Sequence, residues 1–272
     1  MGSQNREFHV FLFPFMSHGH MIPISDMAKL FAAQGVKTTI VTTPLNASTF
    51  YKATQSSKTN SGSVKVEIKT IKFPSEAGPD GCEILDSLAS PELSTNFLKA
   101  TSLLQEPLEQ LLLDQNPSFL LADICFPWAT DAAAKFDIPR LVFHGTSFFA
   151  LAASYNMSKY EPFKNSSSDL EPFVIPNFPG EITMTRAQVP AFDKENIEND
   201  VTRMLKRAKE SEQTSYGIVV NSFYELEPVY ADYYRNVLGR KAWHIGPVSL
   251  CNRSNEEKHL EEKHLPSTST IA

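Results

Sequence analysis

Two residues with acid–base chemistry follow short apolar runs of the sequence. His20 lies in a polar turn shortly after the run 9–13, and Asp123 ends the run that starts at Phe119. A histidine can act as a general base near neutral pH, and a carboxylate bonded to its other ring nitrogen would fix the tautomer and stabilise the imidazolium. The alternative is that His20 only begins a helix and that Asp123 only caps one.

Other chemistries fit these residues less well. His18 stands close to His20 and suggests a metal, but no third ligand lies in either neighbouring turn, so we predict no metal site. The first turn offers only Gly19 where a dinucleotide fingerprint needs GxGxxG. The sequence also lacks the GxSxG nucleophile motif of many hydrolases.

Aromatic residues follow the ends of two predicted strands. Such residues could form an apolar pocket for a flat substrate, although packing in the core is the commoner role. We expect one or two of the four to line a pocket. The four aromatic residues are Phe126, Trp128, Phe148 and Phe149.

The elements that position these residues alternate between short β-rich runs and longer segments with helical spacing. This alternation is typical of an α/β, Rossmann-like, doubly wound and mainly parallel sheet, here of about seven strands. After the strand at 9–13, Pro23 is expected near the start of the first helix, and Gly35 can end it. Because ligands of such sheets bind at the carboxyl ends of the strands, His20 and Asp123 stand where chemistry would occur. The further strands are predicted at 36–42, 64–71, 119–122, 140–143, 217–221 and 242–245.

The domain organisation follows from changes in composition. Residues 1–250 are predicted to form one Rossmann-like domain, and residues 46–62 within it a helix remnant and loop. The proline-rich segment 159–193 is expected to run over one end of the sheet, where binding sites often lie. The polar segment 251–272 contains EEKHL twice in tandem and is predicted to be a disordered tail.

The charge and hydropathy of the chain limit its partners. The net charge is -6, with 25 basic and 31 acidic residues spread along the chain, so we expect no nucleic acid partner. No apolar run approaches the roughly 20 residues that a membrane span needs. We expect a monomer that acts in the cytoplasm.

Three segments together carry a family resemblance. They are FPFMSHGHMIPISDMAKLFAAQG, LLADICFPWATDAAAKFDIPRLVFHGTSFFAL and GIVVNSFYELEPVYADYYRNVLGRKAWHIGPVSLCNR. The chain resembles the plant UDP-glycosyltransferases of glycosyltransferase family 1 from Phe8 to about Arg253. It is most similar to the branch that acts on triterpenoid, flavonoid and phenylpropanoid aglycones. The resemblance implies a GT-B architecture, in which residues 1–250 form the N-terminal, acceptor-binding domain.

The resemblance also implies an inverting transfer of a sugar to a hydroxyl group of a lipophilic aglycone. His20 would be the base and Asp123 the residue that activates it. The co-substrate would be a UDP-sugar, UDP-glucose above all, with no tightly bound cofactor. Further contacts are implied for the acceptor at His20, Met16, Phe126 and Phe148, and for the donor at Gly19 and Thr146.

The chain departs from the family pattern in one respect. The family's C-terminal domain carries a donor-binding signature that begins near a tryptophan, whereas Trp128 and Trp243 both lie in N-terminal motifs here. We therefore expect a truncated form without the donor-binding domain. The alternatives are an inactive acceptor-binding module and a truncated product without function.

Overall fold

A computed structural model describes residues 7–55, 66–74, 82–194 and 197–252 of the chain. Seven parallel strands form the main sheet, and two short antiparallel strands form a separate hairpin. The main sheet contains β1 (His9–Phe13), β2 (Lys37–Thr42), β3 (Glu67–Thr70), β4 (Phe119–Asp123), β5 (Arg140–His144), β8 (Gly217–Val220) and β9 (Ala242–His244). The hairpin contains β6 (Pro172–Val174) and β7 (Thr183–Thr185).

The strand order in the main sheet is β3-β2-β1-β4-β5-β8-β9. The chain therefore moves outward from β1 to β3, returns to β4 beside β1, and then continues in the other direction. The carboxyl ends of β1 and β4 flank the point where this order reverses, which is where ligands bind in open sheets of this kind. The seven-stranded, parallel and doubly wound sheet predicted from the sequence is confirmed.

Helices cover both faces of the sheet. They are α1 (His18–Ala33), α2 (Pro44–Gln55), α3 (Pro91–Ala100), α4 (Gln105–Gln115), α5 (Ala129–Ala134), α6 (Phe148–Tyr160), α7 (Ala191–Lys194), α8 (Asp200–Thr214) and α9 (Pro228–Asp232). None of the helices in the described ranges is both long enough and apolar enough to cross a lipid bilayer.

The alternation of side chains along β1 separates two layers of the core. Phe11 and Phe13 pack into the cluster that includes Leu108 of α4, whereas Val10 and Leu12 pack into the cluster that includes Met27 of α1. All five residues of β1 are buried. A strand that is buried on both faces is an apolar run without polar alternation, which is why composition alone located it.

Helix α1 begins earlier than the sequence predicts. Pro23 was expected near its start, but it lies inside the helix, which begins at His18. Proline at this position removes the hydrogen bond that its N–H would make to the carbonyl group of Gly19, and its ring crowds that group. The polar segment after Pro44 also differs from the prediction, because residues 44–55 form the regular helix α2, with Ala47 and Phe50 buried on one face. The remainder of that predicted loop, at 56–62, lies outside the described residues.

Two predicted irregular segments have specific anchors. The proline-rich segment 159–193 contains the β6–β7 hairpin. The side-chain amide of Asn156 donates to the carbonyl oxygen of Pro176, in the same segment, at 3.0 Å. The predicted domain boundary at 250 falls within the 3-10 turn Val248–Cys251, and Asn252 is buried against α1, where its amide donates to Asp26 at 3.0 Å. The rest of the predicted tail lies outside the described residues.

Gly217 provides a test of the sheet's packing. A β-carbon built at this position lies 2.6 Å from Cζ3 of Trp243 and 2.8 Å from the carbonyl oxygen of Lys241. We expect Gly217→Ala to lower the free energy of unfolding by about 1–3 kcal/mol, because the backbone of β9 must move to accommodate the methyl group. Urea denaturation measures the change. Gly145→Ala is the control, since a β-carbon there meets no atom within 4 Å. Equal effects of the two substitutions would contradict the prediction.

Candidate active site

His20 and Asp123 lie in contact at the carboxyl edge of the sheet. β1 and β4 pair in parallel, with Phe13 opposite Ala122, so both strands end at the same level. Asp123 is the last residue of β4, and His20 lies in the first turn of the helix that follows β1. The distance between Nδ1 of His20 and Oδ2 of Asp123 is 2.7 Å.

The environment of the pair determines which ring nitrogen carries the proton. An ionised carboxylate can only accept hydrogen bonds, so Nδ1–H of His20 donates to Asp123. In the neutral imidazole, Nε2 then keeps its lone pair and can take a proton. The side chain of Asp123 is fully buried, whereas 33% of the His20 side chain is exposed. The basic nitrogen therefore belongs to the residue that a ligand can reach.

Opposing effects act on the pKa of His20. Burial alone lowers it, because desolvation disfavours the charged imidazolium. The hydrogen bond and the charge of Asp123, with a further contribution from the charge of Asp86, outweigh this effect and raise the pKa of His20 above its ordinary value. The arrangement therefore stabilises the imidazolium that a general base forms when it accepts a proton.

Asp123 is itself held by groups on two sides. Its Oδ1 accepts a hydrogen bond from the backbone N–H of Cys125 at 2.9 Å. Its backbone carbonyl oxygen accepts from Arg140 at 2.8 Å, and Arg140 also donates to Oγ1 of Thr130 at 2.7 Å. Burial lowers the pKa of Arg140 to about 10, although the charge of Asp123 opposes the shift. Arg140 is therefore still a cation at neutral pH and fixes the end of β4.

Asp86 also belongs to the site, although sequence patterns did not single it out. It lies in the 3-10 turn Leu85–Ser87, and its carboxylate accepts hydrogen bonds from Oγ of Ser17 at 2.8 Å and from the backbone N–H of His18 at 2.7 Å. Nδ1–H of His18 donates to the same carboxylate at 2.8 Å. Burial raises the pKa of Asp86, but these hydrogen bonds outweigh it and lower the pKa below its usual range.

Three of the four residues predicted to contact the acceptor lie in the core, and the fourth, His20, is partly exposed. Met16 is 1% exposed, and Phe126 and Phe148 have no exposed surface. The ring of Phe126 stacks on Phe13 at a centroid distance of 4.2 Å. The acceptor roles of Met16, Phe126 and Phe148 stay predictions, and they would require these side chains to move. The apolar ring next to His20 is instead Phe15, which stands edge-on to the imidazole at 5.4 Å.

The two residues predicted to contact the donor lie on exposed turns. Gly19 is exposed in the first turn of α1, and a β-carbon there would meet no atom within 4 Å. Thr146 is exposed in the turn before α6. That turn is fixed by the buried Glu227, whose carboxylate accepts from the backbone N–H groups of Phe148 and Phe149 at 2.9 Å each. Their donor roles stay predictions.

A metal ion fits the site poorly. Among the described residues, potential ligand atoms of His20, Asp123 and Cys125 lie within 4.8 Å of one another. However, Nδ1 of His20 donates to Asp123, and both carboxylate oxygens of Asp123 accept hydrogen bonds. Burial, followed by the charge of Asp123, raises the pKa of Cys125 well above its ordinary value, so the thiol stays protonated and is a poor ligand.

Comparisons with known proteins identify the proteins that the chain resembles. The chain is 54% identical to the scopoletin glucosyltransferase of Nicotiana tabacum over 93% of its own length and 53% of that protein's length. It is 53% identical to the UDP-glucose flavonoid 3-O-glucosyltransferase 7 of Fragaria ananassa, over 93% of this chain and 50% of that protein. The chain is similar to one half of plant UDP-glycosyltransferases. The resemblance predicted from the sequence is thereby confirmed. No protein-family model matches the chain.

Solved structures of plant UDP-glycosyltransferases share this fold. The crystal structure of Glycyrrhiza uralensis UGT73P12 complexed with glycyrrhetinic acid 3-O-monoglucuronide is 36% identical, with a TM-score of 0.86 over 94% of this chain and 52% of that chain. The structure of Phytolacca americana UGT2 complexed with UDP-2fluoro-glucose and pterostilbene is 17% identical with a TM-score of 0.66, which supports the fold alone. The chain spans about half the length of the curated plant UDP-glycosyltransferases it matches.

Asp123→Asn tests the electrostatics of the pair. The amide keeps the shape of the carboxyl group but removes its charge, so we expect the pKa of His20 to fall towards the low value that burial favours. Titration of the imidazole resonances by NMR measures this change. Asp114→Asn, which removes an exposed carboxylate on α4, is the control and should leave the His20 titration unchanged. A His20 pKa that is the same in Asp123→Asn and wild type would contradict the assignment.

Proposed function

We propose that this chain is the acceptor-binding half of an inverting, UDP-sugar-dependent glycosyltransferase. The observation that carries the proposal is the 2.7 Å contact between Nδ1 of His20 and Oδ2 of Asp123 at the carboxyl ends of β1 and β4. This contact leaves Nε2 of a partly exposed imidazole as a base. The match to half the length of plant UDP-glycosyltransferases supplies the reaction class.

The chemistry follows from the position of the base. Nε2 of His20 takes the proton from a hydroxyl group of the acceptor as the oxygen attacks the anomeric carbon of the sugar. The new bond joins that oxygen to the anomeric carbon, and the bond from the carbon to the diphosphate breaks as UDP leaves. Attack from the side opposite UDP inverts the configuration at this carbon. Asp123 orients the imidazole before the transfer and stabilises the imidazolium that forms, as the carboxylate of a catalytic triad does.

The raised pKa of His20 predicts the direction of the pH dependence. The base must be neutral to accept a proton, so transfer should increase as the pH rises through the pKa of His20. The stabilisation that the His20–Asp123 pair gives to folding has the opposite dependence. Because the folded-state pKa lies above the ordinary value, this stabilisation is present at low pH and is lost as the pH rises through the folded-state pKa.

The relatives suggest the substrates. Their names give scopoletin and flavonoids as acceptors and UDP-glucose as a donor, so we propose a small lipophilic plant aglycone and UDP-glucose, without a tightly bound cofactor. The ring of Phe15 beside His20 is only 2% exposed, so it too would have to move to contact such an aglycone. The exposed Gly19 and Thr146 are proposed to face the sugar donor. A monomer that acts in the cytoplasm stays a prediction from the sequence.

The test compares two proteins. One is this chain, and the other is this chain joined to the remaining half of the scopoletin glucosyltransferase of Nicotiana tabacum. Each is incubated with labelled UDP-glucose and a panel of scopoletin, flavonoids and triterpenoids. We expect transfer by the joined protein, and we expect His20→Ala to reduce kcat by about 10²–10⁴-fold because it removes the general base.

The controls separate catalysis from folding. Asp114→Asn should retain the activity of the joined protein, and thermal melting checks that the His20→Ala protein is folded. Activity that survives His20→Ala in a folded protein would contradict the proposed base. Binding of scopoletin without transfer by either protein would support the alternative of an inactive acceptor-binding module.

A further inference from the structure

Residues 82–88 form a segment, here called the acidic strap, that crosses the carboxyl ends of β1 and β2. The backbone N–H of Leu85 donates to the carbonyl oxygen of Met16 at 2.9 Å. At the neighbouring turn, the backbone N–H of Leu45 donates to Oε2 of Glu83 at 2.8 Å, and the amide of Asn46 donates to the carbonyl oxygen of Glu83 at 2.8 Å. The acidic strap therefore binds the first turns of both α1 and α2.

Asp86 replaces the local cap of α1. Ser17 occupies the N-cap position, yet its side chain accepts no hydrogen bond from the helix. Its Oγ instead donates to Asp86, 69 residues along the chain, and Asp86 accepts from the backbone N–H of His18. A carboxylate at a helix N-terminus satisfies an otherwise unpaired donor and interacts favourably with the helix dipole.

We propose that Asp86 is a positioning residue for His20. The backbone N–H groups of His20 and Met21 both donate to the carbonyl oxygen of Ser17, at 3.0 and 2.9 Å, so the first turn of α1 holds His20 through the same residue that Asp86 anchors. Loss of the anchor would let this turn fray and the imidazole rotate away from Asp123. The inference rests on the proposed role of His20 as the base.

The carboxylate of Asp86 acts through the helix and not on the substrate. Its oxygens accept from Ser17 and from both the backbone and the ring of His18. A carboxylate engaged in this way is a structural anchor, and its charge still reaches the imidazole of His20.

The charged and titratable groups around His20 come from three elements. Asp123 lies at the end of β4, Asp86 lies in the acidic strap, and His18 shares the first turn of α1. The thiol of Cys125 is also close, but it is protonated and carries no charge. Of these groups, Asp123 and Asp86 favour the imidazolium form of His20.

The experiment uses the whole chain labelled with ¹⁵N. Asp86→Asn keeps the size of the side chain and removes its charge. We expect the pKa of His20 to fall, and we expect hydrogen exchange at the amides of His20 and Met21 to become faster by roughly fivefold, the change that loss of a typical helix cap produces. Asp114→Asn, which removes an exposed carboxylate on α4, should change neither quantity.

A second variant keeps the proposal testable if the Asp86→Asn protein fails to fold. Ser17→Ala removes one of the hydrogen bonds to Asp86, so it should shift the same exchange rates in the same direction by a smaller factor. Unchanged His20 titration and unchanged exchange in a folded Asp86→Asn protein would overturn the proposal. Neither measurement requires sugar transfer. A chain that shows both shifts, while the joined protein transfers no sugar, would contradict the proposed function and support the positioning role.

Discussion

The parallel pairing of β1 with β4 is the constraint on which the candidate site depends. The register places Phe13 opposite Ala122, so the two strands end together at the point where the strand order of the sheet reverses. The end of β4 is Asp123, and the turn after β1 leads into the helix that carries His20. A shift of one residue in this register would turn Asp123 to the other face of the sheet and separate the pair.

Carboxylates from distant parts of the chain organise the helix starts at this edge. Asp86 accepts from the first turn of α1, Glu83 from the first turn of α2, and Glu227 from the first turn of α6. Each satisfies backbone N–H groups that have no partner within their own helix. Because His20 lies in the first turn of α1 and Thr146 lies directly before α6, the stability of these helix starts and the geometry of the site depend on the same hydrogen bonds.

The sequence predicts the sheet from local patterns, which also place His20 and Asp123 at strand ends, whereas the pairing of the two residues is what the family resemblance implies. A doubly buried strand is a short apolar run, and a polar residue at its end marks the functional edge of the sheet. The start of α1 could not be predicted, since Pro23 suggests a later start and the capping group, Asp86, lies far along the chain. Composition also cannot distinguish an aromatic residue that lines a pocket from one that is buried, such as Phe126.

The charges around the His20–Asp123 pair explain what a second carboxylate, Asp86, contributes. Before proton transfer, the charge of Asp123 already acts on the buried guanidinium of Arg140, which donates to the backbone carbonyl oxygen of Asp123. After transfer, the imidazolium of His20 adds a positive charge next to Asp123. The charge of Asp86 favours that imidazolium. Asp86 therefore adds to the stabilisation that Asp123 gives to the imidazolium, and the low dielectric of the partly buried site makes both interactions stronger than they would be in water.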